Sequence, residues 1–173
     1  HTYRYEHRDP QGLKNASVLA FYENENGTIW IGVDHGGLHL FNRKTLSFTH
    51  YPLDPAELDD PLNETVLTLE KDSYGDLWIG TYGKGIYRIN NKSGQFKHYM
   101  PEQNNPASLN FPIVYSIFED SRKNIWLGTY GKGMSLYDRK NDGFLPVFPY
   151  IYKNAVRKFY EDSQNSLWVC TSP

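Results

Sequence analysis

Several groups of residues in this 173-residue chain are of types that do chemistry. Tyr82-Gly-Lys-Gly85 and Tyr130-Gly-Lys-Gly133 each set a tyrosine ring and a lysine on a glycine-rich loop, and Asp34-His35 occupies the same place in an earlier loop. Tyrosine faces stack on sugar rings, and lysine or amide donors bond their hydroxyls. Arg157 and Lys158 add two adjacent cations. Glu119-Asp120 and Glu161-Asp162 are neighbouring carboxylates, the raw material of an acid/base couple. His35, His39, His50 and His98 are potential metal ligands, and Cys170 is the one thiol. Gly80-Thr-Tyr-Gly-Lys-Gly85 has the outline of a phosphate loop.

Their spacing decides how most of these are read. Asp72-Ser-Tyr-Gly-Asp-Leu-Trp-Ile-Gly-Thr-Tyr-Gly-Lys-Gly85 returns 48 residues later at Asp120 to Gly133 and stands 48 residues earlier at Asn24 to Gly37. A fourth copy begins at Asp162, only 42 residues after the third. All four tryptophans (Trp30, Trp78, Trp126, Trp168) hold one position of this unit. Each full unit contains four short apolar runs separated by turn signals: the first from Val18, Val66, Val114 or Val156, the second around the tryptophan, then Leu38, Ile86 or Met134, then Phe48, Phe96 or Phe144. Pro- and Asn-rich return loops follow, carrying Leu62-Asn63 and Leu109-Asn110. Four antiparallel strands per repeat of this length predict the blades of a β-propeller, an all-β fold. The expected organisation is a propeller segment of about three full blades with partial blades at both ends. Residues 1–17 read as the outer strand and return loop of a preceding blade, 18–65, 66–113 and 114–155 as blades, and 156–173 as the first half of another. Half-blades leave open strand edges, so the segment is expected to belong to a longer propeller.

Composition agrees. Aromatic residues make 16% of the chain, a balance that favours strands, and the net charge of −2 argues against a nucleic-acid partner. No apolar run is long enough for a membrane helix, so no membrane contact is expected of this segment. A single cysteine excludes an internal disulfide framework.

Within a four-stranded blade the glycine turns and the return loops emerge on one face, and the Asp-led and Asn/Lys turns on the other. Asp34, His35, Tyr82, Lys84, Tyr130 and Lys132 therefore share a rim with the return loops. A ligand is rarely symmetric about a propeller axis, so residues identical in successive blades serve the blade, and those that break the repeat are better binding candidates. These are Asp34, His35, Arg157, Lys158 and the aromatic run Phe144 to Tyr152. Repetition also makes Glu119-Asp120 and Glu161-Asp162 turn formers rather than catalysts. Lys84 precedes Gly85 rather than Ser or Thr and no helix follows, so nucleotide binding is rejected. The histidines lack carboxylate or cysteine partners, which argues against a metal, and no cofactor is expected. The tryptophans are expected in the core between blades, and Cys170, replacing a repeated glycine, as a buried thiol. Gly27, Gly75, Lys123 and Asn165 share a turn position expected to need positive φ.

The pattern Val-x-x-Ile/Phe-x-Glu-Asp-x-x-Gly/Asn-x-Ile/Leu-Trp-Ile/Leu-Gly-Thr-x-Gly-Lys-Gly, with Leu-Asn in the return loop, resembles the two-component regulator propeller repeats. The resemblance implies the periplasmic sensor half of a bacterial hybrid two-component histidine kinase. It implies a parent anchored in the inner membrane, dimerisation of that parent, and an oligosaccharide or glycan breakdown product as ligand. The segment itself is then not an enzyme, kinase activity lying in a cytoplasmic part. Two alternatives stay open: a propeller enzyme acting on glycans, sialidase- or lyase-like, and a plain protein-interaction propeller. Val33-Asp-His-Gly-Gly37, Cys170 and the irregular stretch after Phe144 depart from the family pattern.

Overall fold

The computed structural model describes residues 12–53, 64–147 and 154–172. Among them lie fourteen strands: β1 (Val18–Glu23), β2 (Ile29–Val33), β3 (Gly37–Asn42), β4 (Ser47–Tyr51), β5 (Val66–Lys71), β6 (Leu77–Thr81), β7 (Ile86–Ile89), β8 (Phe96–Tyr99), β9 (Val114–Glu119), β10 (Ile125–Thr129), β11 (Met134–Asp138), β12 (Gly143–Val147), β13 (Ala155–Glu161) and β14 (Leu167–Ser172). They form three four-stranded sheets in simple order, β1-β2-β3-β4, β5-β6-β7-β8 and β9-β10-β11-β12, and the pair β13-β14. Neighbouring strands pair antiparallel, as blades require. The outer strand expected at Thr2–Tyr5, the Leu62-Asn63 pair and the run 148–152 lie outside the described residues. The chain divides into two compact units, His1–Leu69 and Glu70–Pro173, the boundary falling inside β5.

The Asp-led turn shows why the repeated phrase has its form. Asp72 Oδ1 accepts the N–H groups of Tyr74 and Asp76, both at 3.0 Å, and its Oδ2 accepts the indole N–H of Trp78 at 2.9 Å. Asp120 does the same for Arg122, Asn124 and Trp126, and Asp162 for Gln164, Ser166 and Trp168. One carboxylate thus closes the turn and fixes the indole six residues on. The expected left-handed position follows: φ is 81° at Gly27, 88° at Gly75, 67° at Lys123 and 60° at Asn165.

The residue before the aspartate reaches the neighbouring blade. Glu119 accepts the Ser73 N–H at 2.6 Å and its hydroxyl at 2.9 Å, and Glu161 treats Ser121 alike at 2.7 and 2.8 Å. Both carboxylates of each Glu-Asp pair are therefore committed to turns, in different blades. Close backbone approach explains the glycine after the tryptophan. A Cβ on Gly128 would lie 2.3 Å from Ser116 Oγ and 2.6 Å from Val156 Cγ1. The inner strand of the next blade leaves no room there.

Burial follows this stacking. Trp78 is fully buried, within a cluster that includes Leu109, Ile117, Leu127, Tyr137 and Phe144. Trp126 is partly buried against Met134, Val156 and Phe159. Trp168 does not meet the expectation of a core position: it is 62% exposed, and Cys170 on the same strand is exposed rather than buried. Both lie on β14, the second strand of a two-stranded sheet, with no described strand beyond it. The side-chain type chosen by the repeat is thus buried only where another blade covers it.

The first unit holds a different feature. His39 on β3 is fully buried, neither ring nitrogen has a partner among the described residues, and the His50 ring of β4 stands 5.2 Å away. Glu64 is buried nearby, beside the same glycine, Gly37. Burial, reinforced by His50 and Lys14, pushes the His39 imidazole down to about 4.

Two outcomes are expected. Asp72→Ala strands a buried indole N–H and two turn amides, so urea denaturation will show a loss of about 3 kcal/mol, whereas Asp162→Ala, beside the exposed Trp168, will shift the curve much less. Unfolded His39 takes up a proton near pH 6.5 but the folded imidazole only near 4, so stability is complete above pH 6.5 and drains as pH falls to 4. At about 1.4 kcal/mol per pH unit the loss is about 3 kcal/mol. Hydrogen exchange of the β3 amides reads it, and His39→Tyr, which copies Tyr87 of the second blade, removes that slope.

Candidate functional site

The rim carrying the glycine turns is built from backbone outward. In the first unit the turn after β2 is tied to the return loop. Gly36 and Gly37 donate to the Glu64 carbonyl at 3.0 and 2.8 Å, and His35 N–H donates to Thr65 Oγ1 at 3.0 Å. Thr65 in turn donates to Asp34 Oδ1 at 3.0 Å, and the His35 ring meets that same oxygen at 2.8 Å. His35 stands at φ 46°, a left-handed position, and its side chain is 69% exposed. Asp34 and His35 therefore form a small polar group whose carboxylate is already engaged.

In the second unit the return loop 108–113 lies between two successive turns. Gly83 and Gly85 donate to the Pro112 carbonyl at 3.2 and 2.7 Å, while Tyr130 N–H donates to the Ile113 carbonyl at 3.1 Å. Asn110, the second residue of its Leu-Asn pair, donates from Nδ2 to the Lys132 carbonyl at 3.0 Å. Tyr82, Lys84, Tyr130 and Lys132 thus flank one loop on one face, as strand polarity requires. Tyr82 and Tyr130 are 57% and 46% exposed.

An aromatic and cationic group stands out on this rim. The Arg157 guanidinium lies 4.0 Å from the Tyr115 ring centroid and its Nε donates to Ser172 Oγ at 2.9 Å. Tyr115 meets Tyr130 edge-on at 6.0 Å, and Phe111 of the return loop lies 6.3 Å from Tyr130. Pairing of β13 with β14 runs from Val156–Thr171 directly to Lys158–Cys170, so Arg157 is the extra residue of a β-bulge. Tyr115 and Leu19 occupy the same bulge in their own blades. A bulge re-aims one side chain out of the alternating pattern of its strand. That is how Arg157, on one blade, meets a tyrosine on the one before. Lys158 is exposed and makes no described contact with this group. The second-unit residues singled out by sequence are thus partly assembled: Tyr130 and Arg157 share one group, with Lys132 on the same turn.

Two of its members, Phe111 and Tyr115, escaped sequence reasoning. Tyr115 breaks the repeat as clearly as Arg157 does, standing where Leu19 and Leu67 stand elsewhere, and that signal was available. Among the described residues no cluster of histidine, cysteine and carboxylate side chains has the form of a metal site.

The blades define the chain as propeller repeats. The family model for the two component regulator propeller matches three segments, residues 12–35, 60–83 and 108–131. The chain carries two-component regulator propeller repeats. Among solved structures it is similar to the extracellular domain of a hybrid two component system, BT3049 from B. thetaiotaomicron, at 23% identity and TM-score 0.75, covering 99% of this chain and 21% of that one. It is also similar to virginiamycin B lyase from Staphylococcus aureus (19%, TM-score 0.62, 88% of this chain and 48% of that one). PorZ of Porphyromonas gingivalis, described as a surface component of the type-IX secretion system, matches at 14% and TM-score 0.67, over 96% of this chain and 26% of that one. Each likeness is one of fold, and the chain spans about a fifth of the BT3049 domain. No curated protein sequence matches it.

Arg157 is a surface cation held by one ring and one hydroxyl, worth about 0.5–1 kcal/mol. Arg157→Leu, which installs the residue found at that position in the first two blades, will leave the urea midpoint nearly unchanged.

Proposed function

We propose that the chain is a ligand-sensing and scaffolding part of the periplasmic sensor of a hybrid two-component histidine kinase, and that it responds to an oligosaccharide or a glycan breakdown product. The observation that carries the ligand class is the group of Tyr115, Tyr130, Phe111 and Arg157 on the glycine-turn rim. The exposed Tyr130 ring offers a flat apolar face to the C–H side of a sugar. Arg157, with Lys132 on the turn that carries Tyr130, offers donors to its hydroxyls, and Lys158, next to Arg157 in sequence, is a further exposed cation. The rim is pinned by backbone hydrogen bonds from the return loop, so little ordering entropy remains to be lost on binding.

The repeat family and the likeness to BT3049, an extracellular domain of a hybrid two component system, support the sensor reading and its extracytoplasmic location. In this reading the kinase lies in another part of the parent protein, which is anchored in the inner membrane and works as a dimer. Asp34 and His35 are the corresponding candidates on the glycine turn of the first unit, and Tyr82 and Lys84 on that of the second. In this reading the chain itself performs no catalysis, which the commitment of Glu119-Asp120 and Glu161-Asp162 to turns supports.

Thermal denaturation with a panel of neutral and acidic oligosaccharides tests this. A ligand at a hundred times its Kd stabilises by about 2.7 kcal/mol, equivalent to a rise of about 7 °C for a chain of this size. One class of glycan is expected to raise Tm by that amount in the parent chain, and Tyr130→Ala or Arg157→Leu to abolish the rise. No shift with any glycan, or turnover of one, overturns the reading.

A further inference from the structure

The opposite face of the second unit holds a cleft of about 260 Å³ lined by Tyr74, Asp76, Arg88, Asn90, Tyr137 and Arg139, with Lys92 at its edge. It lies at the Asp-led and Asn/Lys turns, away from the rim above, between the blade of β5–β8 and that of β9–β12. The structure assigns this cleft, through Arg88, as a binding site for a carboxylate carried on a ligand about the size of one sugar ring.

Arg88 is the reason. On β7 it stands where the first and third blades have Leu40 and Leu136, so the blade itself does not require a cation there. Its guanidinium is held among three rings, with centroids of Trp78, Tyr137 and Tyr99 at 5.4, 5.6 and 5.9 Å. Nη1 donates to the Tyr137 hydroxyl. Among the described residues no carboxylate comes within hydrogen-bond distance: its ion pairs are long, Asp76 at 3.7 Å from Nε and Asp142 at 3.8 Å from Nη1. Nε is buried without a hydrogen bond among the described residues. Removing an arginine this far from water is costly unless its donors are used.

Both nearby carboxylates are spoken for. Asp76 accepts from Asn90 Nδ2 and Asn91 N–H at 3.1 and 3.0 Å. Asp142 accepts from Lys97, Tyr99 and Tyr137, and those bonds hold it down at about 2. Tyr137 likewise departs from the repeat, standing where Phe41 and Ile89 stand, and supplies the hydroxyl that aims the guanidinium.

The unused donor of the Arg88 guanidinium selects the ligand. Arg139 is neutralised by Asp72 and Glu119, both at 3.1 Å, and its guanidinium covers the Tyr74 ring at 4.4 Å. That group carries one acid more than it has cations, while Arg88 and the exposed Lys92 stand against Asp76 alone, so the cleft is balanced as a whole and only the Arg88 side is locally positive. A planar fork of N–H donors pairs with a carboxylate in two parallel bonds. The volume lies below the ~300–1,000 Å³ of sites for drug-sized ligands, so the ligand is small. Exposed Tyr74 and the amide-rich turn at Asn90 supply a partly apolar wall for a ring. The proposal does not depend on the glycan reading of the other rim.

Calorimetric titration of the chain with glucuronic acid, glucose and sulfate tests it. Glucuronate is expected to bind, with glucose at least tenfold weaker and sulfate weaker than glucuronate. Arg88→Leu, the residue of the flanking blades, should reduce glucuronate affinity at least tenfold while the circular dichroism spectrum is unchanged. Lys92→Ala, at an exposed turn that does not bear on folding, should reduce it about threefold and serves if the first variant fails to fold. Unchanged affinity in Lys92→Ala and in folded Arg88→Leu, sulfate binding as well as glucuronate, or no binding of glucuronate at millimolar concentration would each overturn the assignment.

Discussion

A single carboxylate shared between a turn and an indole holds each blade in shape from β5 onward. Its two oxygens do different work: one collects two backbone N–H groups that a tight turn would otherwise leave unpaired, and the other takes the tryptophan N–H. A buried indole needs such a partner, so the acid lets a large ring sit inside without an unpaired donor. Once the ring is placed, the packing of Tyr99, Tyr137 and Phe144 around Trp78 follows. The first blade uses Asn24, whose amide bonds Thr28, and there Trp30 is packed by Tyr51 instead. The same fold position is met with a different local solution.

Coupling between blades in the second unit uses the adjacent acid. Glu119 and Glu161 each reach back to a serine one residue past the previous aspartate, so the turns of successive blades are tied along one face. On the other face the return loop does the tying through carbonyls of Pro112 and Ile113. Both faces are thereby held by polar contacts around a core of stacked apolar strands. Burial raises the Glu70 carboxyl to about 7, Glu119 adding to the effect, an unfavourable charge that the strand carries beside these ties.

Repetition and departure divide the labour. Residues that recur, such as Asp72, Trp78 and Gly128, are explained by contacts that every stacked blade must make. Residues that depart, such as Tyr115, Arg157, Arg88 and Tyr137, have no such explanation and cluster at the two ends of the strands. A symmetric scaffold offers equivalent positions in each blade, and an asymmetric ligand needs only some of them changed. The two groups of departures lie on opposite faces because turns alternate between the faces along the chain.

By itself the sequence determined the blades. Period, turn residues and strand runs are local, and each of the fourteen strands sits where an apolar run bounded by turn residues placed it. It also determined which face carries Tyr82, Lys84, Tyr130 and Lys132, since strand polarity alone decides that. Only the tertiary structure decided what touches what. Sequence spacing does not reveal that Arg157 is bulged toward Tyr115, because a bulge changes register by one residue without changing composition. Nor does it reveal that Arg88 lies in an aromatic cage, whose rings come from three strands and two blades. The same tryptophan position is fully buried at Trp78 and exposed at Trp168 for a related reason. Burial belongs to the neighbour that covers a residue, and a repeat specifies only the residue.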